Sequence, residues 1–182
     1  WGPGNILGLL DAGVLPAGLG SQAWVITVLE DDFRRDKTRI GEVPYFNVAP
    51  RTAWEELLVL AAYRVVTAYK RPRPAAELEQ AADENLTALG AIAARGHAAG
   101  ARVLFVWHPA ADAVGGALEP HRQALFALAE GATLPVLDLT PTYRHAGGAR
   151  RLYADGMHLT AAGHAVAGEA IGTALAGILA GR

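Results

Sequence analysis

Asp155 and His158 stand three residues apart in the run Tyr153-Ala154-Asp155-Gly156-Met157-His158-Leu159-Thr160, just ahead of a long apolar stretch rich in alanine and glycine. An acid at that spacing, in a loop that feeds a helix, can hold one nitrogen of an imidazole. The other nitrogen is then left to take a proton from a nucleophile. The same spacing also arises where a loop carries two polar residues before a helix start, so the surroundings decide. Thr160 is placed to cap the following helix, which leaves Asp155 and His158 in the loop where α/β folds carry working residues. His164 follows His158 by six residues rather than four, so the two imidazoles do not share a helical face and no zinc site is expected.

The elements that must position this pair are legible as hydrophobic runs. Ala23 to Leu29 is continuously apolar and β-branched and ends in Glu30-Asp31-Asp32. Arg102 to Trp107 repeats the pattern and ends at His108-Pro109, and Leu134 to Leu139 repeats it around Asp138. Such runs are strands buried on both faces with polar residues at their C-terminal ends. Helical spacing fills the intervals over Thr52 to Tyr69, Ala75 to Ala99, Leu118 to Glu130 and Ala161 to Gly181. In the first, Trp54, Leu57, Leu58, Ala61, Val65 and Val66 share one face. Pro72 and Pro74 divide the first two. The alternation predicts an α/β domain with a parallel sheet and helices on both faces. In open sheets of this class, ligands bind beyond the carboxyl ends of the strands. Glu30 to Asp32, His108, Asp138 and the Asp155/His158 loop are all expected on that rim.

With 182 residues, of which 52% are hydrophobic, the chain suits a single domain with one sizeable core. A net charge of −2 and the absence of a basic stripe give nucleic acid no electrostatic footprint. The short basic clusters Arg34-Arg35-Asp36-Lys37 and Lys70-Arg71-Pro72-Arg73 read as solvated ends of elements. With no cysteine, disulfides, thiolate metal sites and a cysteine nucleophile are excluded. The final apolar stretch is interrupted by His164 and Glu169 and carries five glycines, so it reads as a buried or half-buried helix, not a membrane span. Tyr45-Phe46, in an aperiodic segment, is expected as a short edge strand or as cleft lining.

Three blocks give the chain a resemblance to the SGNH, or GDSL-like, hydrolase superfamily, and the match covers almost the whole sequence from Trp1 onward. Leu137-Asp138-Leu139-Thr140-Pro141 followed by Tyr153 to His164 resembles the family's last block. Val28-Leu29-Glu30-Asp31-Asp32-Phe33 is placed like its Gly-x-Asn-Asp block, and Gly2-Pro3-Gly4-Asn5 like the block that contributes an oxyanion-hole glycine. The resemblance implies a three-layer α/β/α flavodoxin-like fold with strand order 2-1-3-4-5. It also implies an acyl-enzyme ester hydrolase or O-acyl transferase that needs no cofactor or metal. His158 would be the base, Asp155 its orienting acid, the Gly4 N–H an oxyanion donor, and the partner substrate a small-molecule or carbohydrate ester. Family members are often secreted or periplasmic, while the chain itself leaves localisation open.

Two departures shape what is expected. The family's nucleophile lies in a Gly-Asp-Ser block on the first strand, whereas the single serine here, Ser21, precedes its strand at the opposite end of the sheet. The nucleophile is therefore expected outside these 182 residues, in an N-terminal part that also holds the first strand. Without that strand, Ala23 to Leu29 becomes an exposed apolar edge. Asp31 replaces the oxyanion-hole asparagine, and a carboxylate accepts where an amide would donate. That substitution keeps open a non-catalytic acyl- or glycan-binding member of the same fold. An unrelated α/β domain, whose Asp155/His158 loop merely orders a helix start, is the third reading.

Overall fold

Three parallel strands, β1 (Ala23–Val28), β2 (Arg102–Trp107) and β3 (Val136–Asp138), form one sheet in the order β1-β2-β3. The computed structural model describes residues 2–13, 21–34, 51–68 and 74–181. Trp1, Arg35-Asp36-Lys37, Tyr45-Phe46 and the Lys70-Arg71-Pro72-Arg73 cluster lie outside the described residues. Register aligns Val28 with Trp107 and Trp107 with Asp138, so the three strands finish level with one another. That shared end is the rim on which polar groups collect.

Alternation along β2 sends side chains to two cores. Val103, Phe105 and Trp107 join Val28, Leu89, Ala93, Leu125 and Ala129 beneath α3 (Ala75–Ala98) and α5 (Pro120–Gly131). Leu104 and Val106 join Leu139, Tyr143, Leu152 and Ala167 beneath α6 (Leu139–His145), α7 (Ala149–Leu152) and α8 (Ala161–Leu179). Phe105, Val106 and Trp107 have no exposed surface, and each contributes about 1.5–3 kcal/mol or more of burial. α3 runs close over the sheet because Gly96 lacks a Cβ. A methyl there would stand 2.8 Å from Val103 Cγ2.

The strands and long helices lie within a few residues of their expected positions, and the differences have local causes. β3 is shorter than the Leu134 to Leu139 run because the Asp138 side chain accepts from the Thr140 N–H and starts α6 at Leu139. The Gly2-Pro3-Gly4-Asn5 block opens a helix, α1 (Pro3–Asp11), that packs on α3. Pro3 at its first position and the Asn5 side chain accepting from the Gly2 N–H set that start. The largest disagreement concerns α2 (Ala53–Ala68). Residues of its shared apolar face stand in solvent, Trp54 at 75% and Leu58 at 66% exposed. No residue of α2 belongs to either core cluster among the described residues.

On its outer side β1 pairs with no strand among the described residues, and Val25 is exposed. α8 is long and apolar enough to cross a membrane by length and composition. In this fold its Val166, Ala167, Ala170, Ile171, Ala174 and Leu175 pack on the second core.

Candidate active site

The Asp155/His158 loop is built by its own hydrogen bonds. Tyr153 pairs with Leu159 in an antiparallel bridge, and the Ala154 N–H donates to His158 O at 2.7 Å. Inside this closed turn, Asp155 Oδ1 accepts from the main-chain N–H groups of His158 (2.7 Å) and Met157 (2.8 Å). Asp155 Oδ2 meets His158 Nδ1 at 2.7 Å. An ionised carboxylate only accepts, so Nδ1 carries the proton and Nε2 presents its lone pair outward. Both side chains are well exposed, at 58% for Asp155 and 78% for His158.

The hydrogen bond from the His158 N–H, then that from Met157, then the imidazole, hold the Asp155 carboxyl down at about 2. A carboxylate depressed in this way favours the closed loop fully above its ordinary value of 3.8, and that preference is lost as the pH falls through about 2. In a carbon-detected NMR titration, the Asp155 carboxyl midpoint is expected near 2, with the Met157 and His158 amide shifts moving together at the same pH. A midpoint near 3.8 would show that the turn does not close in solution.

The loop is fastened to the sheet rim through the segment after β2. The Ala111 N–H, at the start of the short helix α4 (Ala111–Val114), donates to Gly156 O at 3.0 Å. The Tyr153 hydroxyl donates to Pro109 O. His108, the first residue beyond β2, donates its N–H to Val28 O at 2.9 Å and lies edge-on to both Tyr143 and Tyr153. Burial lowers the His108 pKa against the opposing hydrogen bond from its Nδ1 to Pro109 O at 3.0 Å. Burial likewise raises the Tyr143 phenol to about 12. Thr160 accepts from the Gly163 N–H at 3.1 Å and so caps α8. His164 is exposed rather than packed at the helix start, because α8 turns Gly163 and Ala167 inward there.

Gly4 and Asp31 belong to a second group, on the β1 and α3 side. The Gly4 N–H donates to Asn85 Oδ1 at 3.3 Å, and Asn85 Nδ2 donates to Phe33 O at 3.3 Å. Asn85 is 3% exposed, so one buried amide ties α1 to the 3₁₀ turn Glu30–Arg34. Asp31 lies exposed on that turn. Asp32 is buried and accepts from the Leu29 N–H at 3.0 Å, which fixes the turn where β1 ends. No hydrogen bond among the described residues joins Gly4 or Asp31 to Asp155 or His158. Ser21 stands before β1, at the far end of the strands from this rim.

Sequence reasoning missed how the first turn of α5 organises the rim. Glu119 accepts from Trp107 Nε1 at 2.8 Å and from the Ala110 N–H at 2.9 Å, at the end of β2. His121 pairs with Glu30, just beyond β1, at 2.5 Å while its ring stacks on Phe33. Arg122 pairs with Asp138 at the end of β3. Burial raises the Glu119 pKa. Burial would also raise Asp138, but the hydrogen bonds from Thr140 and Arg122 prevail and lower it. Only the run Glu119-Pro120-His121-Arg122 after two glycines hinted at this. Asn85 was detectable in principle, as the one polar residue among Ala82, Leu89 and Ile92 at helical spacing.

Among the described residues no cluster of His, Asp and Glu side chains is placed to hold a metal ion. Comparison of the chain with protein-family models, curated proteins and solved structures finds no match.

Proposed function

We propose that this chain supplies the base, the orienting acid and part of the substrate-binding rim of a serine-dependent ester hydrolase or O-acyl transferase, with the serine lying outside these 182 residues. The observation that carries this reading is the Asp155–His158 pair. A carboxylate fixed by two main-chain N–H groups holds Nδ1 at 2.7 Å and leaves Nε2 on a solvent-exposed ring. This is the geometry in which an imidazole takes a hydroxyl proton and returns it to a leaving group. The resemblance of the Tyr153 to His164 block to SGNH hydrolases supports the same roles. So does the sheet order, which corresponds to strands 3, 4 and 5 of a flavodoxin-like 2-1-3-4-5 arrangement with a further strand beside β1. On that strand a Gly-Asp-Ser turn would bring its hydroxyl to His158.

A binding-only member of the same fold is the second reading, and two observations favour it. Asp31 stands where an amide donor is required, and the Gly4 N–H is directed at Asn85 rather than at solvent. Losing one oxyanion donor costs about 10²–10³ in rate. Release of nitrophenol from p-nitrophenyl acetate separates the two. Protein carrying the completing strand is expected to turn the ester over, and the 182-residue chain alone is expected not to. A completing strand with no serine at its C-terminal end, or no turnover when that serine is present, would leave only the binding reading.

A further inference from the structure

A cleft of about 200 Å³, distinct from the Asp155/His158 loop, opens between the end of α4 and the first turns of α5 and α6, with Ala117, Leu118, Arg122, Gln123, Thr140 and Arg144 in its lining. Its two guanidinium groups have donors to spare. Arg144 is held by one edge, Nε to Val114 O at 2.9 Å and Nη2 to Ala113 O at 3.2 Å, which leaves its Nη1 N–H groups unengaged. Arg122 gives Nη2 to Asp138, while its Nε is buried without a partner. The hydroxyl of Thr140, a residue only 8% exposed, is likewise buried and unpartnered. Such orphaned groups are rare in native folds, and both atoms are enclosed by protein beneath the cleft wall rather than open to it.

The acids of the same lining are already occupied. Asp138 accepts from Arg122 and the Thr140 N–H, and Glu119 from Trp107 and the Ala110 N–H. The Nη1 groups of Arg122 and Arg144 remain without a protein partner, so the fitting ligand presents acceptors. Arg122 and Arg144 are balanced by Asp138 and Glu119, a lining of no net charge. That balance suits a single, delocalised negative charge at one end of a neutral body and disfavours a dianion. Leu118, 94% exposed at the mouth, offers an apolar side. The cleft is large enough for a ligand of roughly six carbons.

We propose that this cleft binds a small organic monocarboxylate, its carboxylate gripped by Arg144 and Arg122 and its carbon body lying toward Leu118. The site stands independently of the hydrolase reading. Its test is an amide NMR titration of the 182-residue chain with sodium glucuronate and sodium hexanoate, against glucose and inorganic phosphate. Both carboxylates are expected to shift the amides of Ala117, Gln123, Thr140 and Arg144 saturably, glucose to shift none, and phosphate to bind at least tenfold more weakly. Arg144→Met is expected to raise Kd about tenfold or more. Arg144 also caps α4, so Ala117→Phe serves as the second variant. It fills the cleft, leaves both guanidinium groups in place, and is expected to abolish the shifts. Absence of carboxylate shifts, equal binding of phosphate or glucose, or undiminished binding by Ala117→Phe would each overturn the proposal.

Discussion

Replacing His158 with alanine, in protein that carries the strand-end serine, is expected to lower turnover of p-nitrophenyl acetate by about 10⁴-fold or more, with Tm almost unchanged. The two halves of that result come from the same geometry. On the proposed reading, losing the imidazole removes the group that takes the serine proton, which accounts for the rate. The side chain is 78% exposed, and the His158 and Met157 N–H groups go on donating to Asp155, which accounts for the stability. Asp155→Asn is expected to be nearly as damaging. The amide can keep the main-chain hydrogen bonds through its oxygen, but its NH₂ then faces Nδ1 and forces the other tautomer, in which Nε2 carries the proton. A purely structural loop would give the opposite signature, with Tm falling and no activity to lose. Kinetics and a melting curve on the two variants therefore distinguish base from brace.

Gly163→Ala is expected to cost about 3 kcal/mol or more of stability and to disorder the loop that carries His158. Gly163 lies buried in the first turn of α8, where its N–H meets the Thr160 hydroxyl. A methyl at this position would overlap the Leu152 carbonyl oxygen and stand 2.9 Å from Leu159 Cδ2. The main-chain oxygen cannot give way, and the Leu159 Cβ, 3.0 Å off, is held with its backbone. Leu152 O already accepts from the Thr160 N–H at 2.8 Å, and Leu159 is paired with Tyr153. The added carbon must push α8 off the second core or open the Tyr153–Leu159 bridge, and the bridge closes the Asp155/His158 turn. Chemical denaturation measures the first effect, and loss of the Ala154 and His158 amide protection from exchange measures the second. Gly168→Ala, a position with open space around it, is the control and is expected to be neutral or slightly stabilising.

Long periodic runs made most of the fold legible. β2 was readable because a strand covered on both faces must be apolar along its buried length, and Val103–Trp107 is. α3, α5 and α8 were readable because helical spacing persists over three turns or more. What escaped was set by contacts rather than by pattern. α4, α6 and α7 are too short for a period to register, and each is defined by what its ends meet, such as Asp138 capping α6. α2 shows the converse failure, since its apolar face satisfies every helical rule and still lies exposed. Periodicity states what a face would bury, not whether the sheet has room left for it. At the site, Asp155 and His158 were legible because three residues of a single turn carry the whole geometry. The hold of Asn85 on Gly4 spans 81 positions, and no local signal reports it.

Glu119, His121 and Arg122 reach the ends of three different strands, although they stand within four residues at the start of one helix. The rim therefore lacks the freedom to fray strand by strand. Lifting the α5 N-terminus releases Trp107, Glu30 and Asp138 at once, and while it stays down none of the three can leave alone. The polar edge of the sheet thus behaves as a single cooperative unit.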